Sequence, residues 1–220
     1  AVAVDLSVGG RVEADRGASV DLAPGSLVRA DGTPVEGMVD VHLTVFDATK
    51  SGDFDAYPGE MIGDDGAESS PLLTVAMMDV TIRQQGEELQ IAAGQTLPVT
   101  FAAPSGAESP PETAPLWSMD TATGRWKKEG EATFDPATGT YDAELPHLSP
   151  WNLDLPWQRL CCVHGRIVDS TGGLVGGGTV HLDGERNGLR WSVADGAPNG
   201  VFTVPTVCDG SARLRANHPG

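Results

Sequence analysis

The sequence has few aromatic residues, few basic residues and no long hydrophobic run. Aromatic residues make up 5% of the 220 positions, whereas glycine (28) and proline (16) are abundant. Glycine or proline interrupts nearly every window long enough for an amphipathic helix, which excludes a helical bundle. Most positions expected to face the core are occupied by Val, Leu, Thr and Ala. Together with the many glycines and prolines, this composition favours short strands joined by tight turns.

Basic residues are outnumbered by acidic ones, 14 against 31, and the formal charge is −17. Such a chain repels phosphate backbones and anionic membrane surfaces, so we expect no nucleic-acid partner. No apolar run approaches the roughly 20 residues of a membrane span, and none is predicted in this fragment. Ala1 does not resemble a natural first residue, so we interpret the chain as a mature or excised fragment whose lack of a signal peptide says nothing about export.

Cysteine occurs three times, always in the last third of the chain. Small glycine-rich sandwiches commonly need a covalent cross-link, and we predict a disulfide between Cys162 and Cys208, with Cys161 as the alternative partner. A disulfide implies an oxidising compartment. The alternative is three reduced cysteines packed as small hydrophobic residues. No paired Cys-x-x-Cys spacing indicates zinc.

Alternating apolar residues predict strands throughout the chain. The clearest runs from Met38 to Asp47, and a second runs from Leu72 to Arg83. We predict an all-β fold of two consecutive β-sandwich domains, residues 1–155 and 156–220. Tyr141 to Leu145 would form the last strand of the first domain, and a short hinge would follow His147-Leu148-Ser149 and Trp151.

Acidic side chains are concentrated in a long polar loop, residues 47–70. Clustered carboxylates can ligate Ca²⁺, and the candidate ligands are Asp53, Asp55, Asp64 and Asp65. The spacing does not match a known calcium loop, so a solvated acidic loop is the alternative. No other cofactor is expected.

Two tryptophans, Trp117 and Trp126, flank the turn Thr121-Ala122-Thr123-Gly124. Exposed rings in such positions can stack on a sugar, which makes carbohydrate binding one candidate function. The alternative is that both rings pin the hairpin to the body of the sandwich.

The second domain resembles the carboxypeptidase regulatory-like family. The stretches that carry the resemblance are Val163 to Asp169, Gly173 to Val180, Asp195 to Phe202, and Leu214 to Ala216. This resemblance implies a small transthyretin-like sandwich that is not catalytic and occurs as an accessory module in secreted and cell-surface proteins.

The first domain resembles bacterial extracellular relatives of the region that precedes such a module in cartilage intermediate layer proteins. The matching stretches are Val20 to Leu27, Asp31 to Gly37, Leu116 to Asp120, Thr123 to Trp126, and His147 to Asn152. The terminal His147-Leu148-Ser149 is also similar to the end of the zona-occludens-type sandwich and of the autoproteolysis-inducing domain of adhesion receptors, which cleave themselves at a His-x-Ser or His-x-Thr step. The resemblances imply a secreted or cell-surface protein of bacterial extracellular type.

The self-cleavage resemblance leads to one chemical hypothesis. Ser149 would attack the carbonyl of Leu148, and His147 would act as the general base. If strand alternation continues past Leu145, His147 and Ser149 face the same side, but the prolines on either side of this step can break that alternation. The alternative is that both residues hydrogen-bond to nearby backbone while Trp151 seals the end of the core.

These observations rank three functions. The first is a non-enzymatic extracellular or cell-surface β-sandwich scaffold or adhesion module, with no particular protein or cell-surface partner indicated. The second is the same scaffold with self-cleavage between Leu148 and Ser149. The third is carbohydrate binding through the tryptophan pair. A hydrolase acting on an external substrate is disfavoured, because the chain has no Gly-x-Ser-x-Gly elbow and no βαβ pattern.

Overall fold

A computed structural model describes residues 1–47, 50, 52–53, 56, 58–59, 61–66, 69–104, 110–157, 160–186 and 189–218. The described residues form 19 strands, which confirms the predicted all-β class. The N-terminal region comprises β1 (Val2–Asp5), β2 (Gly10–Glu13), β3 (Ser19–Leu22), β4 (Leu27–Val28), β5 (Met38–Phe46), β6 (Ile62–Asp64), β7 (Ser69–Gln84), β8 (Glu87–Glu88), β9 (Gln90–Ile91), β10 (Leu97–Ala102), β11 (Thr113–Asp120), β12 (Arg125–Asp135), β13 (Thr140–Leu145) and β14 (Pro150–Pro156). The C-terminal region comprises β15 (Leu160–Arg166), β16 (Gly178–Arg186), β17 (Leu189–Ala197), β18 (Val201–Val207) and β19 (Ser211–Asn217).

The main sheet is organised around β7, the longest strand. Its pairing order runs β19-β16-β17-β7-β14-β11-β12-β13-β10-β3-β2, and β5, β6 and β8 also pair with β7. Except for the parallel β6–β12 pair, its strand pairs are antiparallel. The large antiparallel sheets fit the predicted sandwich architecture.

The segment that we expected to be a hinge is a strand in the middle of this sheet. β14 pairs with β7 on one side and with β11 on the other. Trp151 and Leu153 are fully buried and belong to the main hydrophobic core, which also contains Val80, Phe101 and Tyr141. The alternating run is short and lies between Pro150 and Pro156, and prolines are typical of linkers and strand ends, which is why the segment resembled a hinge.

Two further hydrophobic clusters lie beside the main core. One is built from Met61, Leu72, Met77, Trp117, Met119 and Trp126. The other holds the C-terminal region together and contains Val180, Leu182, Trp191, Val193, Phe202, Val204 and Val207. Leu73 of β7 belongs to this second cluster, so the N-terminal region contributes directly to the packing of the C-terminal one.

The main sheet also crosses the expected domain boundary. β17 pairs with β7 at Arg190 and Thr74, while β15 and β18 form a separate two-stranded sheet that packs over β16 and β17. The division into domains 1–155 and 156–220 stays a prediction, and the structure adds that the two segments share a sheet and a core cluster.

The predicted disulfide is present, but our preferred partner for Cys208 was wrong. The bridge joins Cys161 to Cys208, with 5.2 Å between the Cα atoms, and Cys162 is an exposed free thiol. Neighbouring residues of a strand point to opposite faces, so only one of the two adjacent cysteines of β15 can face Cys208. The sequence pattern alone does not say which one.

Candidate functional site

The His147-Leu148-Ser149 step lies in the connection between β13 and β14. β13 ends at Leu145, and residues 146–149 form bends before β14 begins at Pro150. The strand alternation that would have placed His147 and Ser149 on one face therefore stops before it reaches them. The prolines on either side of the step agree with this break, because proline cannot donate to a strand ladder.

His147 is held by contacts on three sides. Its Nε2 lies 2.8 Å from Oε2 of Glu129, and its ring packs 4.8 Å from the Trp151 ring. The Trp151 indole donates a 3.1 Å hydrogen bond to the backbone carbonyl of His147. Since Trp151 is fully buried, this bond fixes the turn to the core, whereas the imidazole pairs with the Glu129 side chain and not with nearby backbone.

Glu129 connects His147 to a third charged group. Its Oε1 lies 2.6 Å from Nζ of Lys127. Partial burial acts to raise the pKa of Glu129, but the hydrogen bonds and charges of Lys127 and His147 outweigh burial, and the pKa is lowered. In return, the hydrogen bond and charge of Glu129 raise the pKa of Lys127. The carboxylate is therefore ionised at neutral pH and orients the imidazole.

The Ser149 hydroxyl bonds to the backbone and not to the imidazole. It donates a 3.3 Å hydrogen bond to the backbone carbonyl of Pro150. Within the described residues, no hydrogen bond joins Ser149 to His147. Leu148 packs part of its side chain against the main core. A serine nucleophile needs a base within hydrogen-bond reach, so self-cleavage would require the Ser149 side chain to rotate towards His147.

His147 and Ser149 line an open pocket of about 370 Å³ together with Asp79, Thr81 and Glu88. Burial raises the pKa of Asp79, against a hydrogen bond from Thr81 that lowers it. The pocket thus offers carboxyl, hydroxyl and imidazole groups on one surface.

The two tryptophans proposed to bind sugar are in the interior, which corrects that prediction. Trp117 is 1% exposed and Trp126 is 0% exposed, and both belong to the same apolar cluster. The Trp117 indole donates a 3.0 Å hydrogen bond to the backbone carbonyl of Asp154. Stacking on a sugar requires an exposed ring face, and the packing alternative fits both side chains.

The structure describes three of the four aspartates that we proposed as Ca²⁺ ligands. Asp53 accepts a 2.9 Å hydrogen bond from the backbone N–H of Asp47, and Asp64 accepts one of the same length from Gly66. Asp65 follows Asp64 directly, while Asp55 lies outside the described residues. Among the described residues, no group of three or more His, Cys, Asp or Glu side chains is placed to hold a metal ion. Calcium binding stays a prediction.

A buried polar cluster, missed by the sequence analysis, occupies the centre of the main sheet. It consists of Thr74 on β7 with Asn152 and Asp154 on β14, all with 0% exposure. Burial raises the pKa of Asp154 well above its ordinary value, opposed by hydrogen bonds from Thr74, the Val75 backbone and Asn152. The alternation of Trp151, Asn152, Leu153 and Asp154 was the available signal, because it is the period-two pattern of a strand with one polar face.

Fold and site together define a class of protein. It is an all-β protein with large antiparallel sheets consistent with a β-sandwich and a disulfide in its C-terminal region. In the part of the chain that the structure describes, no helix is long and apolar enough to cross a membrane.

Within this class, the chain is similar to cartilage intermediate layer proteins. It is 28% identical to human cartilage intermediate layer protein 2 over 157 residues, and this matched stretch covers 66% of this chain and 14% of the relative. It is 26% identical to mouse cartilage intermediate layer protein 1 over 179 residues, and this matched stretch covers 75% of this chain and 15% of the relative. The chain therefore spans about one seventh of the length of these relatives.

No protein-family model matches the chain, and no solved structure matches it significantly. The similarity to cartilage intermediate layer proteins agrees with the resemblance noted in the sequence. The carboxypeptidase regulatory-like, transthyretin-like assignment of the C-terminal region stays a prediction. These relatives are human and mouse proteins, so they lend no support to a bacterial origin.

Proposed function

We propose that the protein is a non-enzymatic, secreted β-sandwich module that serves as a structural scaffold in an extracellular matrix. The observation that carries the proposal is the Cys161–Cys208 bridge. Disulfides persist in oxidising compartments and are rare in the cytosol. The names of the similar proteins, which refer to a layer of cartilage, point to the same environment.

The construction of the molecule suits a load-bearing role. β7 takes part in the sheet of the N-terminal region, pairs with β17 of the C-terminal region and contributes Leu73 to the C-terminal core. A pull on either region is therefore resisted by the shared apolar cluster and by the backbone pairing at Arg190 and Thr74. The bridge joins the start of β15 to the residue after β18.

The compartment is tested by counting thiols after secretion into an oxidising medium. We expect one reactive thiol, that of Cys162, before reduction and all three cysteines after it. The Cys162→Ser variant is the matched control and should show none before reduction. Three reactive thiols in freshly secreted, folded protein would contradict an oxidised extracellular module.

The scaffold role is tested by retention on matrix. The folded chain, labelled through the exposed Cys162 thiol, should be retained on decellularised cartilage matrix after washing at physiological ionic strength. The same labelled chain, reduced and unfolded, serves as the control for non-specific adhesion. Equal retention of the two forms, or none of the folded form, would argue against the role.

Self-cleavage between Leu148 and Ser149 is the second candidate function. The observation that favours it is the His147–Glu129 pair at 2.8 Å, since a carboxylate that orients an imidazole is a common part of a nucleophilic site. Cleavage would give fragments of roughly two thirds and one third of the 220 residues. Both bridged cysteines follow Ser149, so no disulfide would hold the unfolded fragments together.

A denaturing gel and an intact mass decide this candidate. Two fragments in the wild type, a single chain in Ser149→Ala and slower cleavage in Glu129→Gln would support it. The variant Glu131→Gln, on the same strand but without a contact to His147, controls for the change of charge. A single uncleaved chain after prolonged incubation of the wild type would rule out self-cleavage under those conditions.

A further inference from the structure

The same turn occurs in both regions of the chain. An isolated bridge closes each copy, between Val28 and Pro34 in the first and between Val168 and Leu174 in the second. The backbone hydrogen bonds of the first copy recur in the second at a constant offset in sequence: Arg29 to Thr33, Gly32 to Arg29 and Val35 to Leu27, then Asp169 to Gly173, Gly172 to Asp169 and Val175 to Ile167. A long strand follows each copy, β5 and β16. The turn therefore occupies equivalent points in the two regions.

The strand pairing around the turn extends this correspondence. β5 and β16 each form an antiparallel pair with the next long strand, β7 and β17 respectively. Before the turn, β3 and β4 pair with β10 and β9, as β15 pairs with β18. On their other edges, β5 pairs with β1 and β16 pairs with β19. The C-terminal region thus repeats the strand arrangement of the N-terminal region.

One strand of the N-terminal arrangement, β2, has no counterpart in the described part of the C-terminal region. β2 pairs antiparallel with β3, on the side away from β10. It also covers β1, since a Cβ on Gly10 of β2 would lie 3.3 Å from Cγ1 of Val4. Among the described residues, β15 pairs with β18 alone. The position that β2 fills beside β3 is therefore open beside β15.

Burial of the inward side chains shows the same difference. On β3, Val20 is 0% exposed and Leu22 is 4% exposed. On β15, Val163 lies opposite the buried Val204 and so faces the core, and Cys161 shares this face by alternation. Val163 is nevertheless only partly buried, and Cys161 is exposed. The inward face of β15 lacks the cover that β2 gives to β3.

β19 leaves its inward face uncovered as well. All seven residues of this strand are exposed. Leu214 lies opposite the buried Leu182, and opposite residues of an antiparallel pair share a face. Leu214 therefore lies on the core side of the sheet, yet it is 42% exposed, whereas Val4 of β1, under β2, is 8% exposed.

The open edge of β15 and the open face of β19 border one groove. Ile167 directly follows β15, and its Cδ1 would lie 2.8 Å from a Cβ on Gly178, the first residue of β16. The backbone oxygen of Asn217, the last residue of β19, would lie 3.0 Å from the same Cβ. The ends of β15 and β19 are thus neighbours across the start of β16. A strand paired with β15 in this groove would lie over β19, as β2 lies over β1.

The outer side of the groove is basic. His164 and Arg166 are exposed and alternate with the inward residues of β15. At the equivalent edge of the N-terminal region, Arg11 of β2 donates a 3.1 Å hydrogen bond to Asp21 of β3. From residue 156 onwards the chain has six basic and five acidic residues, so an acidic segment is not repelled here as it is by the rest of the chain. Acidic side chains therefore complement this edge.

We propose that this groove binds an extended segment of another polypeptide, in which apolar and acidic residues alternate. The segment adds to β15 as an antiparallel strand, as β2 adds to β3. Its backbone pairs with the free edge of β15, which supplies affinity, and its alternate side chains supply specificity. The apolar side chains cover Val163 and Leu214, and the acidic side chains face Arg166. This binding surface does not depend on the proposed scaffold role.

A synthetic peptide tests the proposal on the full chain. The peptide has the length of β15, blocked ends and valine alternating with glutamate. Fluorescence anisotropy of the labelled peptide should show saturable binding, and the bound peptide should slow hydrogen exchange in β15. The control is a peptide of the same composition with its valines and glutamates in two separate blocks. It should bind at least about tenfold more weakly, because it cannot present its apolar side chains on one face.

Variants locate the binding surface. Leu214→Asp should weaken binding of the alternating peptide about tenfold, because a charge replaces an apolar contact. Leu174→Asp is the matched control: it changes a leucine that is 55% exposed, in the turn after β15, and should leave binding unchanged. Arg166→Glu should weaken binding of this peptide and strengthen binding of a valine–lysine peptide. Arg213→Glu, on the outer face of β19 opposite Asp183, should change neither. Circular dichroism confirms that each variant is folded.

Three results would overturn the proposal. Without saturable binding of the alternating peptide, the groove does not accept such a strand. Equal binding of the two-block peptide would show attraction between charges and no strand pairing. In sedimentation equilibrium, a mass that rises with concentration in the wild type but not in Leu214→Asp would show that a second copy of the chain covers the groove instead.

Discussion

At the scale of single residues, glycines decide where large side chains fit in the C-terminal region. A Cβ on Gly184 would lie 2.0 Å from Cζ2 of the buried Trp191, whereas a Cβ on Gly196 in the paired strand would meet nothing within 4 Å. Trp191 is locked in place by its own burial, so it cannot move aside cheaply.

We therefore expect Gly184→Ala to lower the free energy of unfolding by about 1–3 kcal/mol through overpacking. Gly196→Ala is the control and should stay within about 0.5 kcal/mol of the wild type. Urea denaturation followed by tryptophan fluorescence measures both. Equal stability of the two variants would mean that Trp191 has room the structure does not show.

Asp154 makes stability depend on pH in an unusual direction. Its folded pKa is raised above its ordinary value of 3.8 by burial, so the folded state binds the proton more tightly than the unfolded state. This contribution to stability is fully present below the unfolded pKa and is lost as pH rises towards the folded pKa. The exposed carboxylates of Asp31, Asp120 and Asp169, whose pKa values are lowered by local hydrogen bonds, act in the opposite direction.

The Asp154→Asn variant separates these effects, because Asn stays neutral at every pH. We expect the stability of the wild type relative to this variant to fall as pH rises above about 4, the ordinary pKa of an aspartate, towards the raised folded pKa. The difference between two series of denaturation curves measures it, since the other carboxylates are common to both proteins. A difference that does not change with pH would show that Asp154 titrates normally.

At the scale of elements, the disulfide links β15 to the residue after β18. The bridge joins residues 47 apart in sequence, and a cross-link of this span restricts the unfolded chain strongly. The neighbouring residue Cys162 is an exposed free cysteine, so it does not restrict the unfolded chain in this way.

Cys161→Ser or Cys208→Ser should lower the free energy of unfolding by about 2–4 kcal/mol. Cys162→Ser is the natural control, adjacent in sequence, and should change it by less than about 0.5 kcal/mol. Chemical denaturation under non-reducing conditions measures all three. If Cys162→Ser were the most destabilising of them, the pairing described here would be wrong.

At the scale of the whole molecule, Leu73 couples the two regions. It belongs to the long strand β7, is 3% exposed and packs among the core residues of the C-terminal region. The only backbone pairing between β7 and β17 is at Arg190 and Thr74, so side-chain packing supplies much of the coupling in the described part of the chain.

Leu73→Ala should lower the free energy of unfolding by about 2–4 kcal/mol. It should also speed hydrogen exchange in β16 to β18 more than in β10 to β13, because the C-terminal region loses its support. Leu214→Ala, which truncates a leucine that is 42% exposed, is the control. Uniform faster exchange across both groups of strands would show that the chain unfolds as one unit.

Local patterns of the sequence were sufficient to predict individual strands. The alternation at Met38 to Asp47 and at Leu72 to Arg83 became β5 and β7, with shifts at their ends. The turn between the two tryptophans is also present, closed by a hydrogen bond from Gly124 to Asp120. These features depend on residues close together in the chain, so their signals survive without knowledge of the fold.

The sequence by itself determined the all-β class and the presence of a disulfide, through composition, alternation and the placement of cysteines. Only the tertiary structure decided that β14 is a central strand, that Cys161 forms the bridge, that Trp117 and Trp126 are buried, and that Thr74 lies opposite Asp154. Each of these outcomes depends on which distant strands pair and in what register. A period-two pattern shows which side chains share a face, but not which other strand or core that face meets.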